Sequence, residues 1–364
     1  MPANAARLRK KLVTWYGKHA RDLPWRRTSD AYAIWVSEVM LQQTRVDTVI
    51  PYYEHFLRKF PTVRALAKAD EDAVLAAWSG LGYYRRARLL HAGVREVAAT
   101  YGGKVPRDAE SRRALPGIGR YTAGAIGSLA FGAEEPIVDG NVARVLTRID
   151  GIRTPLGDAR TEKALWARAE ELVRGKDPGT LNQALMELGA LVCTPRNPNC
   201  AACPVKANCT ALEEGLTEKL PVPRAKRPPE KQAWSVVVAR TTKGDLVVTR
   251  GQAKLFGGLW SPPYAEGSGE ADARGALKAA GLKSTGALTP RGSFRHVLSH
   301  RDLAITVWTA TVKGARRSVH LAIVAGDGLR ELGVSSLTRK ALVIEARGSD
   351  RQRTRLPARS RRPA

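Results

Sequence analysis

No run of the 364 residues approaches the ~20 consecutive apolar positions that a membrane span requires. The opening MPANAARLRKKLVTWYGKHA holds no apolar core followed by a cleavage site, so a cytoplasmic setting is expected. Cysteine is scarce: the chain has four, all inside CTPRNPNCAACPVKANC, at 193, 200, 203 and 209. Disulfide frameworks scatter their cysteines to close loops, so this clustering excludes one. Acidic residues are few, 34 against 60 Lys and Arg, and the net charge of +26 disfavours acidic partners and attracts polyanions. Nucleic acid is the first candidate and a membrane surface the second. There is no internal repeat, and between 31 and 192 no convincing strand alternation.

What is present suits a soluble chain of two domains or more, with 43% hydrophobic residues to supply a core for each. Leu8, Leu12, Trp15 and Tyr16 share one helical face, and helical periodicity continues from 31 to 192 with short breaks. The segment 217–232, TEKLPVPRAKRPPEKQ, reads as a basic, proline-rich linker. Beyond it AWSVVVART, GDLVVTRG and LAITVWTATV read as strands, and EADARGALKAAGL as a helix among them. The expected fold is therefore an all-α domain over 1–216, the linker, an α+β domain over 233–345 and a basic disordered tail over 346–364.

Two stretches carry chemistry on their own. The spacing C-x6-C-x2-C-x5-C offers four thiolates, suited to a tetrahedral zinc ion or an iron–sulfur cubane. Zinc ribbons carry two C-x2-C knuckles and this stretch has one, which favours the cluster. In LPGIGRYTAGAI (115–126), Gly117 and Gly119 are free to take positive φ and turn amides outward at a helix start. Such a turn is either an anion site or an ordinary helix connection.

Taken with LPWR, SEVMLQQT, SGLGYYRRAR, VDGNVARV and NQALMELGALVC, these stretches resemble the helix-hairpin-helix DNA glycosylases and, within them, the MutY-type adenine glycosylases. The likeness spans about residues 8 to 343. It implies a helix-hairpin-helix near 110–130 and a [4Fe–4S] cluster on Cys193, Cys200, Cys203 and Cys209, in an iron–sulfur loop over 193–209. It further implies a Nudix-like second domain that recognises the mispair. The implied partner is double-stranded DNA with adenine opposite 8-oxoguanine or guanine, bound by a monomer without a membrane.

Cutting the N-glycosidic bond needs an acid for the leaving base and an anion for the cationic sugar. Glu38, on a helix expected over about 31–43 beside Ile34 and Leu41, is the candidate acid, its pKa raised by apolar neighbours. Asp139, just ahead of Gly140 and Asn141, is the second carboxylate and equally suits a helix N-cap. The resemblance implies that Asp139 steadies the sugar, that Asn141 helps hold it, and that Gly117 and Gly119 grip a phosphate. Related bifunctional enzymes carry lysine where this chain has Tyr121, and tyrosine forms no Schiff base, so a monofunctional hydrolase is expected.

The same resemblance implies that Trp25, Arg26, Leu41 and Gln183 line an adenine pocket. Gln43, Thr44 and Tyr83 would contact DNA, Gln43 and Tyr83 by wedging into the emptied stack. LFGGLWSPP (255–263) matches a Nudix strand and turn, but EADARGALKAAG lacks the acidic cluster that magnesium-dependent phosphohydrolysis needs. The family reads 8-oxoguanine through Phe-Ser-His; here Leu298, Ser299 and His300 stand, and the leucine departs from the pattern. A catalytically silent damage-binding protein and an endonuclease III-like glycosylase/lyase are the alternatives. The Glu38 and Asp139 pair opposes the first and Tyr121 the second.

Overall fold

Leu8, Leu12 and Trp15 are buried together along the helix Ala3–His19, with Tyr16 partly buried at its edge. They pack against Val142, Val145 and Leu146 of the helix Gly140–Ile149, Leu165 and Leu172 of Ala159–Val173, and Leu181, Leu185 and Leu188 of Pro178–Leu191. Each fully buried side chain of this size contributes roughly 1.5–3 kcal/mol. The computed structural model describes residues 3–224, 228–251, 256–298 and 300–353. The chain divides into two compact units, Met1–Ala69 with Arg85–Lys226 and Asp70–Tyr84 with Arg227–Ala364.

In the first unit the helix Ala31–Leu41 is buried from Tyr32 through Met40, as a helix apolar on every side must be. Asp30 caps it, accepting from the Ala33 amide at 2.7 Å. The helices Ala109–Ala114 and Arg120–Phe131 are joined by a turn that buries Leu115 and Ile118, with the Ile118 amide on the Leu115 carbonyl at 3.1 Å. Only one glycine of this turn takes positive φ. Gly117 sits at φ 79, where a Cβ would lie 2.6 Å from that of Leu89, whereas Gly119 is extended at φ −87 and serves as the N-cap residue. The fully buried Arg112 ties the two helices, donating to the Pro106 carbonyl at 3.0 Å, the Ala123 carbonyl at 3.3 Å and Glu135.

The second unit holds one mixed sheet of β1 (Glu230–Thr241), β2 (Leu246–Arg250), β3 (Trp260–Ser261), β4 (Tyr264–Glu266), β5 (Lys283–Ser284), β6 (Thr289–Val297), β7 (Arg301–Lys313) and β8 (Leu321–Val324). Its spine runs β3-β2-β1-β7-β5, and β1 lies parallel to β7 from Glu230↔Arg301 to Thr241↔Val312. Both faces of β1 are covered. Val236 and Val238 share a core with Leu337 and Ala341 of the helix Ser336–Arg353, while Val237 and Ala239 share another with Ala273, Ala276 and Leu277 of the helix Glu270–Ala279. A strand buried on both sides needs a run of apolar residues, which VVVA (236–239) supplies, while the buried Ser235 hydroxyl donates to the Gly267 carbonyl at 3.0 Å.

Three boundaries differ from a linear reading of the chain. Residues 70–84, with the helix Glu71–Ala77, pack in the second unit although they lie within 1–216. β1 opens at Glu230, inside the 217–232 segment, and the helix Ser336–Arg353 runs into the 346–364 segment. The tail beyond Arg353 lies outside the described residues. Among the described residues no helix is long and apolar enough to cross a membrane.

Candidate active site

The first unit encloses a cavity of about 710 Å3, within the ~300–1,000 Å3 usual for small-molecule sites. Its walls include Trp25, Arg26, Glu38, Leu41, Gln43, Thr44, Gly117, Gly119, Tyr121, Asp139, Asn141 and Gln183. Residues from across 160 positions of sequence are thus gathered at one place. Among the described residues neither the Gly117 nor the Gly119 amide donates to a backbone carbonyl, so both are available to an anion at the start of the helix Arg120–Phe131.

Glu38 is 4% exposed. Burial pushes its carboxyl up to about 7; the Tyr121 hydroxyl, donating to its Oε2 at 2.6 Å, works the other way, and the charge of Asp139 adds to the rise. Burial and the two carboxylates push the Tyr121 phenol well above its ordinary value, so it stays a neutral donor. The same hydroxyl lies 3.5 Å from Met186 Sδ.

Asp139 is the N-cap of the helix Gly140–Ile149 and accepts from the Val142 amide at 2.7 Å and from Asn141 Nδ2 at 3.2 Å. Burial still raises its pKa, those hydrogen bonds notwithstanding. The two readings of this residue, cap and cavity carboxylate, hold together. Asn141 Oδ1 in turn accepts from Arg144 Nη2 at 2.8 Å, and Arg144 Nε donates to the Cys193 carbonyl at 2.7 Å.

The cavity lining also includes Glu187, its side chain wholly buried. Burial works to raise its pKa, but Arg21 and Arg26 outweigh it and hold the carboxyl at about 2. Arg21 reaches it through the backbone amide and Nε, each at 2.9 Å, and through Nη2 at 2.7 Å; Arg26 does so through Nη1 at 3.0 Å and Nη2 at 2.9 Å. Arg26 also lies over the Tyr16 ring, and the Tyr16 hydroxyl donates to Gln183 Oε1 at 2.6 Å. Trp25 packs edge-on against Tyr53. Gln43 is held at φ 57, and Thr44 Oγ1 accepts from Arg86 Nη2 at 3.0 Å.

Glu187, Arg21, Tyr16 and Arg144 are the cavity supports that the sequence reading passed over. A usable signal existed: Gln183 and Glu187 stand four residues apart in NQALMELGA, polar groups on one face of a largely apolar helix.

Cys193, Cys200, Cys203 and Cys209 are free thiols that line one small cavity with Arg148. Arg148, 2% exposed, donates to Cys193 Sγ at 3.3 Å, to the Thr194 carbonyl at 2.8 Å and to the Leu220 carbonyl at 2.8 Å. Among the described residues no three His, Cys, Asp or Glu side chains are gathered so as to hold a single metal ion.

The second unit carries the remaining marked residues. Tyr83 is 48% exposed at φ 48. Leu298 packs on the sheet core and its amide closes the β6–β7 hairpin on the Arg301 carbonyl at 2.7 Å. His300 is exposed and its carbonyl accepts from the Glu230 amide at 3.0 Å, while Ser299 lies outside the described residues. In the helix Glu270–Ala279 both first-turn acids are engaged, Asp272 with the Gly269 amide at 3.0 Å and Glu270 with Arg274 at 2.6 Å.

Residues 36–171 match the family described as HhH-GPD superfamily base excision DNA repair protein, and residues 235–343 match the NUDIX domain. The chain is 48% identical to the adenine DNA glycosylase of Homo sapiens over 227 residues, 60% of this chain but only 42% of the human protein. It is 38% identical to that of Rattus norvegicus over 371 residues, 86% of this chain and 72% of the rat protein. Among solved structures, a thermostable thymine-DNA glycosylase superposes with a TM-score of 0.53 at 32% identity, covering 58% of this chain and 97% of that one.

Proposed function

The chain belongs to the adenine DNA glycosylases of the HhH-GPD base excision repair superfamily, and on that premise we propose that it hydrolyses the N-glycosidic bond of an adenine standing opposite 8-oxoguanine or guanine in duplex DNA. The bond is out of reach inside the stack, so the nucleotide is flipped into the 710 Å3 cavity. The observation that carries the reading is Glu38, buried, held near pKa 7 and oriented by the Tyr121 hydroxyl at 2.6 Å. A carboxyl titrating there is protonated in about half the molecules at neutral pH and gives its proton to a ring nitrogen of the leaving base.

As the bond breaks, positive charge develops on the sugar. Asp139 faces it as an anion, its charge supported by the Val142 and Asn141 donors. Water adds to the anomeric carbon and gives up its proton to the Glu38 carboxylate, which restores the acid, and free adenine and an abasic site leave. Among the described cavity residues there is no lysine, which supports hydrolysis without strand cleavage. Glu187 fixes Arg26, and Tyr16 fixes Gln183, as donors and acceptors toward the base edge. The free amides of Gly117 and Gly119 take a backbone phosphate.

We assign a [4Fe–4S] cluster to Cys193, Cys200, Cys203 and Cys209. Four thiols around one cavity, with a single C-x2-C knuckle in the sequence, suit a cubane taking one thiolate per iron better than a zinc ribbon. When bound, the cluster cross-links the loop that Arg144 and Arg148 tie to the Asp139 helix. The Nudix-like unit, its first-turn acids engaged, reads the base opposite through the 298–300 hairpin. The protein acts as a monomer on DNA in the cytoplasm or nucleoid.

Incubation with an 8-oxoguanine:adenine duplex should release adenine and leave strand breaks only after alkali. Glu38→Gln should bind the duplex and lose at least ~10²-fold in single-turnover release. Breaks without alkali would indicate a lyase, and binding without adenine release a silent sensor.

A further inference from the structure

Leu41, the last residue of the helix that carries Glu38, lines the cavity together with the next three residues, Gln42, Gln43 and Thr44. A helix end leaves its final carbonyls without donors of its own. The Leu41 carbonyl accepts from the Thr44 amide at 3.2 Å. Those of Val39 and Met40 accept from Arg86 Nη1, each at 2.9 Å, and the Gln42 carbonyl accepts from the same nitrogen. Arg86 Nη2 donates to Thr44 Oγ1 at 3.0 Å. One guanidinium, 9% exposed and borne on the first turn of the helix Arg85–Thr100, thus bridges the end of the Glu38 helix and the turn that follows it. Its charge also complements the negative end of that helix.

The turn so bridged is strained. Gln43 has φ 57, a conformation that a residue with a Cβ keeps only where its surroundings over-determine it. Gln43 is exposed and yet part of the lining, so it stands at the mouth of the cavity. Gln42 ties the same turn to the neighbouring wall, its Nε2 donating to Thr122 Oγ1 at 3.4 Å, one residue beyond Tyr121. The charges that act most on Glu38 are those of Asp139 and Arg26. Arg86 therefore governs the shape of the mouth and leaves the acid alone.

We propose that Arg86 is a positioning residue for base extrusion, holding Gln43 left-handed at the cavity mouth by bonding the helix-end carbonyls and Thr44 at once. Extrusion costs the stacking and pairing of the target base. A rim already fixed in the shape that fills the vacated gap adds no ordering cost of its own. This rests on the proposed function and concerns its flipping step, not the cleavage of the bond.

The test uses the full chain with Glu38→Gln, so that extrusion is read without cleavage, and a duplex with 2-aminopurine as the target base opposite 8-oxoguanine. The fluorescence of that base rises as it leaves the stack. Arg86→Met should lower the ratio of extruded to stacked base by about five- to 30-fold, the factor for a left-handed residue no longer held. Arg86→Lys keeps a cation at the helix end but cannot also reach Thr44; it should fold normally and lose about threefold or more, and it carries the test if Arg86→Met fails to fold. With Gln43→Asn, a residue that takes positive φ more readily, the same Arg86 substitutions should lose less than about twofold. With Glu38 intact, single-turnover adenine release should fall with extrusion while the alkaline limb of its pH profile stays in place. Equal losses in both residue-43 backgrounds, no loss with Gln43 in place, or a shifted limb overturns the inference. Adenine release by the unaltered chain reports separately on the proposed function, whatever Arg86 does to extrusion.

Discussion

Glu38 and Glu187 both line one cavity, both buried, both on helices, and their carboxyls are held near 7 and near 2. Desolvation pushes each in the same direction. The difference lies in what each meets: Glu38 bonds one neutral hydroxyl and feels the charges of Asp139 and Arg26, whereas Glu187 is bonded directly by two guanidinium groups. Burial alone does not make an acid. It does so where no cation hydrogen-bonds the carboxyl: Arg26 acts on Glu38 through its charge alone but binds Glu187 directly, so the cavity holds one carboxyl poised near neutral pH and one permanent anion.

The comparison breaks most visibly if the permanent anion is removed. Glu187→Ala leaves Arg26, 14% exposed, and Arg21 without their carboxylate, and should destabilise the fold by about 3–5 kcal/mol. Thermal unfolding at pH 7 should show a fall of roughly 10 °C; a fall of a degree or two would mean the arginines find solvent readily.

A nearly equal effect should come from the proton carrier by changing pH alone. The folded state raises Glu38 from 4.5 to about 7, so it favours the protonated form. The stability from this group is complete below pH 4.5 and is lost as pH rises through 7, about 3 kcal/mol in all. Glu38→Gln removes this titration, so urea unfolding of the two proteins should converge near pH 4.5 and separate toward pH 8, the variant being the more stable. Parallel curves would place the Glu38 pKa near its unfolded value. Glu187, its pKa lowered, has the opposite window: its contribution is present above 4.5 and is lost as pH falls through 2.

The smallest change sharpens the contrast. Tyr121→Phe removes the one donor that favours ionised Glu38, so the carboxyl should rise further, by about one pH unit. The alkaline limb of the adenine-release profile should move up by that amount, and an unmoved limb would show the 2.6 Å bond to be absent in solution.

Glu38 and Asp139 were legible because SEVMLQQT and VDGNVARV are local strings, and the cap geometry of Asp139 is itself a local rule. Glu187 was not singled out, because its meaning depends on Arg21 and Arg26, more than 160 positions away. In the second unit β1, β2 and β7 announced themselves as branched runs. β6 did not: TPRGSFRHV is largely polar, and a register shift between Pro290 and Gly292 breaks its alternation. The helix Ser336–Arg353 was masked by the arginine-rich composition of its last turns. The allegiance of residues 70–84 was illegible for a plainer reason: their acceptors and donors stand 178, 250 and 260 positions further on.

That separation has a cost measured in time. The Val334 carbonyl that receives the Tyr84 hydroxyl is synthesised 250 residues after it, and at ~5–20 residues per second the ribosome takes roughly 12–50 s to deliver it. The helices Val63–Lys68 and Arg85–Thr100 on either side pack against each other well before then. The nascent chain therefore carries residues 79–84 without their bonds to Val334 and Arg339 until those residues have been made.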